Sequence, residues 1–215
     1  MTRSEENYLK TIFHLGSGDD ASINTNAIAE QMETKPSSVT DMAKKLAEKG
    51  LVNYKKYQGI SLTDAGIKTA LSIVRKHRLW ETFLVEKLDF AWDEVHEVAE
   101  QLEHIKSEKL IDKLDQLLKF PKYDPHGDPI PGKNGEFQEH NKDLLSELPV
   151  GAHGVCVGVK DSSSAFLQYL DKHEISIGKP IQILGKEAFD GSLHLKIGER
   201  EHTVSHQIAC NIYLK

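Results

Sequence analysis

The stretch KPSSVTDMAKKLAEKGLVNYKKYQGISLTDAG, residues 35–66, decides the fold of the N-terminal part of the chain. Pro36 followed by two serines is typical of a helix start, because proline tolerates the first turn and a serine hydroxyl accepts an otherwise unpaired N–H. Apolar residues at helical spacing then predict a helix that ends at Gly50. Those residues are Val39, Met42, Ala43, Leu46 and Ala47. Two short strands around Gln58-Gly59 follow, so we expect a hairpin with a basic, aromatic tip.

Two further helices precede this stretch. Apolar residues recur at helical spacing from Glu5 to Leu15, and Gly16-Ser-Gly-Asp closes that helix. A shorter helix is expected from Ile23 to Met32. Three helices and a hairpin in this order predict a winged helix-turn-helix, whose third helix can lie in the major groove of DNA.

The local charge of this region suits DNA, although the whole chain carries a formal net charge of −6. The segment from Lys35 to Lys56 contains several lysines but only two carboxylates, Asp41 and Glu48. Hydroxyl groups at the helix start can hold phosphates, and the lysines add salt-dependent attraction. The candidate phosphate contacts are Ser37, Ser38, Thr40, Lys44, Lys45, Lys55 and Lys56, and the candidate base contacts are Lys35, Ser37 and Asp41. The alternative is a protein-binding winged helix with ordinary solvated lysines.

The composition is that of a folded protein without a membrane segment. Hydrophobic residues make up 39% and charged residues 28% of the 215 residues, enough to bury cores in two or three units. No apolar run approaches the ~20 residues that a membrane span needs, and the first residues lack the apolar stretch of a signal peptide. We therefore expect a cytoplasmic protein with no membrane partner. Cys156 and Cys210 are expected to be buried free thiols.

The rest of the chain changes from helical to alternating patterns. Helices are expected from Thr63 to Glu86, from about Asp93 to Ile105 and from Lys106 to Leu118. The proline- and glycine-rich segment PKYDPHGDPIPGKNGEF predicts an ordered but irregular linker that ends near Leu148. Beyond it, alternating apolar residues predict the strands of a small β unit, interrupted by a helix from Ser163 to Leu170. The alternating residues are Val155, Val157 and Val159, then Ile181 and Ile183, then Leu193, Leu195 and Ile197.

Histidines and carboxylates share helix faces in the middle region. His77 and Glu81 are four residues apart, and a second stripe contains His96, Glu100, Glu103 and His104. Oxygen and imidazole donors without cysteine suit Mn²⁺ or Fe²⁺ better than a structural zinc site. Zn²⁺ or Co²⁺ would bind such donors at least as tightly by the general affinity order. The alternative is a solvated face of an acidic helix.

These motifs resemble those of the diphtheria-toxin-repressor family of iron- and manganese-dependent regulators, and the resemblance covers nearly the whole chain. KPSSVTDMAKKLAEKGLV and YKKYQGISLTDAG look like the helix-turn-helix and wing of the manganese-responsive branch. RKHRLWE, VHEVAEQLEH and DPHGDPIPG are similar to the family's metal-binding and post-helix motifs.

The resemblance implies a mainly α fold with a small β domain. A winged helix-turn-helix is expected at residues 1–72 and a helical metal-binding and dimerisation domain at 73–140. A linker at 141–149 and an SH3-like barrel at 150–215, similar to ferrous-iron transport accessory proteins, would complete the chain.

The resemblance also implies two metal sites. Glu100, Glu103 and His104 would form the primary site, and His77, Glu81 and His96 the ancillary one. Glu100 stands where iron-type members have cysteine, which favours the manganese type. Asn7 stands where manganese-type members have aspartate and could still ligate through its carbonyl, whereas Lys10 stands where some members have a glutamate ligand.

Two further aspartates complete the ligand set that the resemblance implies. Asp161 would supply an ancillary ligand from the SH3-like domain. Asp124, in place of a cysteine of similar members, could reach the primary site. Otherwise both aspartates are turn formers.

The implied function is repression of metal-uptake genes by a metal-loaded homodimer on double-stranded operator DNA. Metal would link the N-terminal helix to the helix with the primary ligands. An apolar face around Phe83, Leu84, Val95, Val98 and Leu102, extended by Leu110 and Leu114, would form the symmetric dimer interface.

Two other function classes remain open. A metal-dependent hydrolase also uses Glu and His clusters, but no nucleophile or phosphate loop accompanies them here, so we do not expect an enzyme. A DNA-binding regulator that responds to a non-metal ligand is the second alternative.

Overall fold

The structure, a computed structural model, describes residues 1–16, 22–56, 58–136 and 141–215. The chain divides into two units. The first contains Met1–His77, Gln101–Glu108 and Pro131–Phe137, and the second contains Arg78–Glu100, Lys109–Ile130 and Gln138–Lys215.

The first unit contains the expected three helices and hairpin. Its elements are α1 (Arg3–Leu15), α2 (Thr25–Gln31), α3 (Pro36–Glu48), β1 (Val52–Lys55), β2 (Gly59–Leu62) and the N-terminal half of α4 (Asp64–Leu88). α3 begins at Pro36 in the first turn, as predicted. The hairpin is antiparallel, with Val52 opposite Leu62 and Lys55 opposite Gly59. The residues after Gly16, which were expected to close the first helix, lie outside the described residues.

Local sequence explains where the first two helices begin. Thr2 and Glu5 form a capping box, in which each side chain accepts a hydrogen bond from the other residue's backbone N–H, so α1 begins two residues before the predicted start. Asn24 accepts a hydrogen bond from the N–H of Asn26 at 2.8 Å. This cap starts α2 after Ile23, two residues later than predicted.

One apolar core holds the first unit together. It is formed by the buried faces of α1, α2, α3 and the hairpin, with Ala70 of α4. Fully buried members include Leu9, Ile28, Leu46 and Ile60. The three helices and the hairpin are therefore fixed relative to one another by shared burial, as a winged helix-turn-helix requires.

The second unit combines short helices with one antiparallel sheet. Its helices are the C-terminal half of α4, most of α5 (Val95–Leu102), α6 (Glu108–Leu117), α7 (Ser164–Lys172) and α8 (His206–Ala209). Its strands are β3 (Asp143–Leu144), β4 (His153–Val159), β5 (Pro180–Lys186), β6 (Leu193–Ile197), β7 (Arg200–Val204) and β8 (Ile212–Leu214). The strand order is β3-β8-β4-β5-β6-β7. The helix predicted from Ser163 is present as α7, one residue later.

The expected linker at 141–149 takes part in the β unit. Asp143 and Leu144 pair with β8, and a 3-10 turn follows at Leu145–Glu147. Leu145 is fully buried in the core of the sheet. Leu148 also packs against this core, so the stretch adds both strand pairing and apolar contacts to the β unit.

Two other expectations concern the membrane and the cysteines. Among the described helices, none combines the length and the apolar character needed to span a membrane. Both cysteines are free, as predicted, but only Cys156 is buried and Cys210 is half-exposed.

Candidate metal centres and nucleic-acid interface

A buried cluster of ligand-type side chains lies in the second unit. Glu81 of α4, Asp124 and His126 each place one ligand atom within 4.8 Å of the others. Asp124 and His126 lie in the irregular segment predicted from its prolines and glycines. All three residues are buried, so the cluster is a preformed polar pocket rather than a surface acidic patch.

His126 is oriented by a backbone carbonyl. Its Nε2 donates to the carbonyl oxygen of Trp92 at 2.8 Å, which leaves Nδ1 3.7 Å from Glu81 Oε2. Burial opposes the charged form of the ring, but the Glu81 and Asp124 carboxylates outweigh it and raise the pKa of His126 to about 9. A carbonyl that fixes the ring in this way is typical of metal-ligating histidines.

Asp124 is held by its own loop. Its Oδ1 accepts hydrogen bonds from the N–H groups of His126 and Asp128 at 2.9 and 3.0 Å, and its Oδ2 lies 3.5 Å from Arg78 Nε. Burial, together with the negative charges of Glu81 and Asp128, raises the pKa of Asp124 to about 7. The loop thus holds a carboxylate where its ionised form is disfavoured unless a cation accompanies it.

The turn that carries these ligands packs tightly on β4. Gly127 has a φ of +83°, and a Cβ there would lie 2.0 Å from the carbonyl oxygen of Val157. The carbonyl of His126 accepts a hydrogen bond from the N–H of Val159 at 2.9 Å. Only glycine permits this approach, so the position of His126 is set by the strand beneath it.

His96 and Glu100 of α5 border the same cluster. His96 Nδ1 lies 3.3 Å from Glu81 Oε1, and its Nε2 lies 4.0 Å from Glu100 Oε1. His96 is exposed, whereas Glu81 is buried. His96 therefore lies at the edge of the pocket.

The residues of this second-unit cluster fit a divalent cation. Two buried carboxylates and an imidazole supply oxygen and nitrogen donors. The raised pKa of Asp124 reflects burial first, and then the negative charges of Glu81 and Asp128, which Arg78 and His126 compensate only in part. A bound cation would stabilise the ionised carboxylates in the buried pocket, where their mutual repulsion is strong.

A different cluster lies in the first unit, around Glu103. Lys10 of α1 donates to both carboxylate oxygens of Glu103, at 2.9 and 2.8 Å. His77 Nδ1 lies 2.7 Å from Glu103 Oε2. Burial raises the pKa of Glu103, but the contacts with His77 and Lys10 outweigh burial and hold this pKa below its usual range.

Two ligand-type atoms of the first unit are buried without a hydrogen-bond partner among the described residues. His104 Nδ1 lies 2.5 Å from Glu6 Oε2 and donates to this carboxylate. His104 Nε2, which has no hydrogen-bond partner, lies 3.6 Å from Glu103 Oε1. Asn7 Oδ1 is the second such atom.

The first-unit cluster fits a metal only in competition with Lys10. Glu103 and His104 Nε2 are suitable donors, and a buried amide oxygen without a partner suits a cation. The lysine ammonium, however, already neutralises the Glu103 carboxylate. A divalent ion at Glu103 would have to displace it.

The predicted ligands therefore fall into two groups. Asn7, His77, Glu103 and His104 belong to the first unit, and Glu81, His96, Glu100, Asp124 and Asp161 to the second. Asp161 accepts a hydrogen bond from the N–H of Ser163 at 2.8 Å, the arrangement of a turn former. The primary and ancillary sets named from the sequence remain predictions.

Sequence reasoning did not assign His126 and Glu6. His126 follows Asp124 by two residues in the quoted DPHG motif, so its residue type was a usable signal. Glu6 lies beside Asn7, but nothing in the local sequence pairs it with His104, 98 positions away.

The predicted DNA-contacting residues surround the start of α3 and the hairpin. Lys35, Ser37 and Ser38 are exposed at the N-terminus of this helix, and Lys55 and Lys56 are exposed on the hairpin. Exposed hydroxyl groups at a helix N-terminus suit phosphate oxygens.

Three other predicted contacts already have partners inside the protein. The Thr40 hydroxyl donates to the carbonyl of Pro36 at 3.1 Å. Asp41 lies 3.6 Å from Lys44 in an exposed pair. Lys45 lies 3.0 Å from the buried carboxylate of Glu5. Thr40 and Lys45 are thus less available to DNA than the sequence suggested.

Comparison with protein families gives three consecutive matches. Residues 1–60 match the iron dependent repressor N-terminal DNA binding domain, and residues 63–132 match the iron dependent repressor metal binding and dimerisation domain. Residues 144–215 match the FeoA domain. The last match agrees with an SH3-like interpretation of the C-terminal sheet.

Individual proteins support the same grouping. The chain is 32% identical over 159 residues to the iron-dependent repressor IdeR of Mycobacterium tuberculosis, covering 71% of this chain and 69% of that protein. A solved manganese-dependent transcriptional repressor in complex with manganese is 34% identical, with a TM-score of 0.87 over 98% of each chain.

A longer protein shares only part of the sequence. A probable metal transport system membrane protein of Chlamydia trachomatis is 49% identical over 86 residues, which is 40% of this chain. The chain matches only 19% of that protein's length.

Proposed function

Because the chain belongs to the iron-dependent repressor family of metal-dependent transcriptional regulators, we propose that it represses metal-uptake genes as a metal-loaded homodimer on operator DNA. The observation that carries this proposal is the buried cluster of Glu81, Asp124 and His126 in a chain with a winged helix-turn-helix. A regulator needs both a sensor for its signal and an element that contacts DNA.

The proposed sensor is the second-unit cluster. Glu81, Asp124 and His126 would hold the metal, with His96 next to Glu81. The ion would supply positive charge that the ionised carboxylates need. Hard oxygen donors with one or two imidazoles favour Mn²⁺ or Fe²⁺, and Zn²⁺ or Co²⁺ could bind the same donors in vitro.

The first-unit residues would form a second, weaker site. Glu103, His104 and Asn7 are the proposed ligands, as expected from the sequence, with His77 beside Glu103. Lys10 would compete with the metal for Glu103. This competition predicts that the second-unit cluster fills first.

The proposed DNA contacts lie on the first unit. The start of α3, with Lys35, Ser37 and Ser38, would enter the major groove, and the hairpin lysines would contact the phosphate backbone. Metal binding would favour the DNA-competent dimer only as far as its affinities for the two states differ.

The proposed dimer surface differs from the apolar face named from the sequence. Leu84, Val95 and Leu114 are buried within the chain itself and are unavailable to a partner. Leu110, which the sequence prediction included, is exposed on α6, and so are Leu88 at the end of α4, Leu117 on α6 and Phe120 just after α6. We assign these four side chains to the homodimer interface, within the matched metal binding and dimerisation region.

Direct metal binding tests the proposed sensor. Mn²⁺ binding to chelator-stripped protein would be measured by electron paramagnetic resonance for wild type, Glu81→Gln and Glu86→Gln. Glu86 is an exposed carboxylate on the same helix and serves as the matched control. We expect Glu81→Gln to weaken binding at least about tenfold, since loss of even an outer partner of a ligand costs that much. Equal binding by all three proteins would contradict the assignment.

A further inference from the structure

Glu5 of α1 is a buried carboxylate that binds two lysines, Lys45 of α3 and Lys49 directly after that helix. Lys45 Nζ lies 3.0 Å from Glu5 Oε1, and Lys49 Nζ donates to both carboxylate oxygens at 2.8 Å. The N–H of Thr2 donates to Glu5 Oε2 at 3.0 Å. Glu5 is fully buried and belongs to neither metal cluster.

The two lysines are bound at their tips but remain accessible to solvent. The side chains of Lys45 and Lys49 are 51% and 43% exposed. A DNA phosphate could therefore approach both ammonium groups only by competing with Glu5. Lys44, on the same helix as Lys45, pairs with the exposed Asp41 at 3.6 Å and has no contact with Glu5 among the described residues.

We propose that Glu5 is a positioning residue that withholds Lys45 and Lys49 from DNA phosphates and thereby limits binding to non-specific DNA. The inference rests on the proposed DNA-binding function. Affinity for arbitrary sequences grows with every phosphate that a lysine neutralises, whereas base contacts at the start of α3 do not depend on those lysines.

Its two lysine partners make Glu5 an effective competitor. Lys49 donates to both carboxylate oxygens, and Lys45 forms an ion pair with one of them. If a phosphate drew both lysines away, the Glu5 carboxylate would lose both cationic partners and keep the Thr2 N–H. The lysines therefore stay with Glu5 unless the gain from DNA exceeds that cost.

The test uses a random-sequence 24-base-pair duplex and chelator-stripped full-length protein. Fluorescence anisotropy at 50–200 mM NaCl gives the slope of log affinity against log salt concentration for wild type, Glu5→Gln and Glu30→Gln. Glutamine can keep the capping box, because its carbonyl oxygen accepts the same N–H. Glu30 is an exposed carboxylate of α2 in the same unit and controls for loss of one negative charge.

The expected result is a steeper salt dependence for Glu5→Gln alone. Each additional phosphate neutralised adds about 0.9 to the slope. The ratio of affinities at 50 and 200 mM NaCl should therefore grow about threefold for one released lysine and about tenfold for two. An unchanged slope in folded Glu5→Gln protein would overturn the inference.

A lysine variant keeps the inference testable if Glu5→Gln does not fold. Lys45→Gln should leave the wild-type slope unchanged, since that lysine does not reach phosphate, and Lys49 still neutralises Glu5. A fall of about 0.9 for Lys45→Gln, the loss of one phosphate contact, would overturn the inference. If wild type binds no duplex at 50 mM NaCl, the proposed function fails as well; if it binds and only these slopes disagree, the inference alone fails.

Discussion

At the scale of single residues, the pairing of Lys10 with Glu103 places an ammonium where the sequence suggested a metal. Both side chains are buried, and His77 contacts the same carboxylate. Removing one partner of such a pair strongly destabilises the protein, because the other charge then stays unpaired in the interior.

Lys10→Met should therefore destabilise the chain and make it more dependent on metal. We expect the free energy of unfolding to fall by roughly 3–5 kcal/mol, at the lower end because His77 still contacts Glu103. Mn²⁺ should raise the melting temperature of this variant more than that of wild type. Lys68→Met, at an exposed position of α4, should change stability by less than about 0.5 kcal/mol. Equal stabilities in a urea titration of both variants would count against a buried ion pair.

The pKa values of His126 and Asp124 predict that metal affinity rises with pH. His126, with a pKa of about 9, must lose a proton to bind metal at any pH below that value. Asp124, with a pKa of about 7, must lose a second proton below pH 7. The Mn²⁺ affinity should thus rise about a hundredfold per pH unit below pH 7 and about tenfold per unit above it.

Calorimetric Mn²⁺ titrations between pH 6 and 8 measure this dependence. Asp124→Asn removes the second titrating group and should show the tenfold dependence throughout, although it binds more weakly. An affinity that does not vary with pH would show that these two groups are not the ligands.

Residue types were predictable from sequence, but their partners were less so. The spacing of Glu100, Glu103 and His104 marked a helix face with ligand character. Helical spacing says nothing about α1. The family resemblance placed Lys10 at the position of a ligand, but it gave neither the ion pair of Lys10 with Glu103 nor the contact of Glu6 with His104. The ion pairs of Glu5 could not be predicted from helical spacing either, since Lys45 and Lys49 do not belong to α1.

At the scale of elements, the turn around Gly127 joins the candidate metal ligands to the β sheet. Gly127 and Gly151 both have a positive φ, of +83° and +90°. A Cβ at Gly127 would meet the backbone of β4, whereas one at Gly151 would meet nothing within 4 Å. A comparison of alanine variants at these two glycines therefore separates the cost of backbone strain from the cost of a steric clash.

Gly127→Ala should lower both stability and metal affinity. Gly151→Ala should cost only about 1–2 kcal/mol from the left-handed conformation. Gly127→Ala should cost at least about 1 kcal/mol more, because the backbone at Val157 has to move. Urea denaturation and Mn²⁺ titration of the two variants measure both effects. Equal loss in the two variants, with metal affinity retained, would argue against a ligand loop fixed by β4.

Elements with a strong apolar period were predicted better than those without one. The third helix and the hairpin are confirmed, because their start and turn signals are local. The two helices after α4 are shorter than expected, at Val95–Leu102 and Glu108–Leu117, because a turn separates them and apolar spacing does not mark helix ends. β7 and β8 were not predicted. Most residues of β7 are polar, β8 has only three residues, and both strands are stabilised by pairing with neighbouring strands.

At the scale of the whole molecule, the exposed apolar residues after α4 and along α6 bear on assembly. Leu117 and Phe120 are 56% and 66% exposed, which is unusual for neighbouring large apolar side chains in a monomer. A second copy of the chain, related by two-fold symmetry, is the proposed cover.

Replacing these two residues should weaken the dimer without unfolding the chain. We expect Leu117→Ser with Phe120→Ser to raise the dimer dissociation constant at least about tenfold, as loss of two interface anchors of ~1 kcal/mol each implies. Sedimentation equilibrium measures the constant. Leu184→Ser on β5, where the leucine is also exposed, should leave it unchanged. If the double variant dimerises as tightly as wild type, the interface lies elsewhere.

The measurement that tests the central claim most directly is binding of the chelator-stripped protein to its own upstream DNA. Mn²⁺, Fe²⁺ or Zn²⁺ would be titrated at fixed ionic strength, with Glu81→Gln beside wild type. We predict that Mn²⁺ or Fe²⁺ tightens wild-type binding about 5–150-fold, the range of ordinary coupling between two sites, and has much less effect on the variant. Equal DNA affinity with and without metal would contradict metal control of this chain.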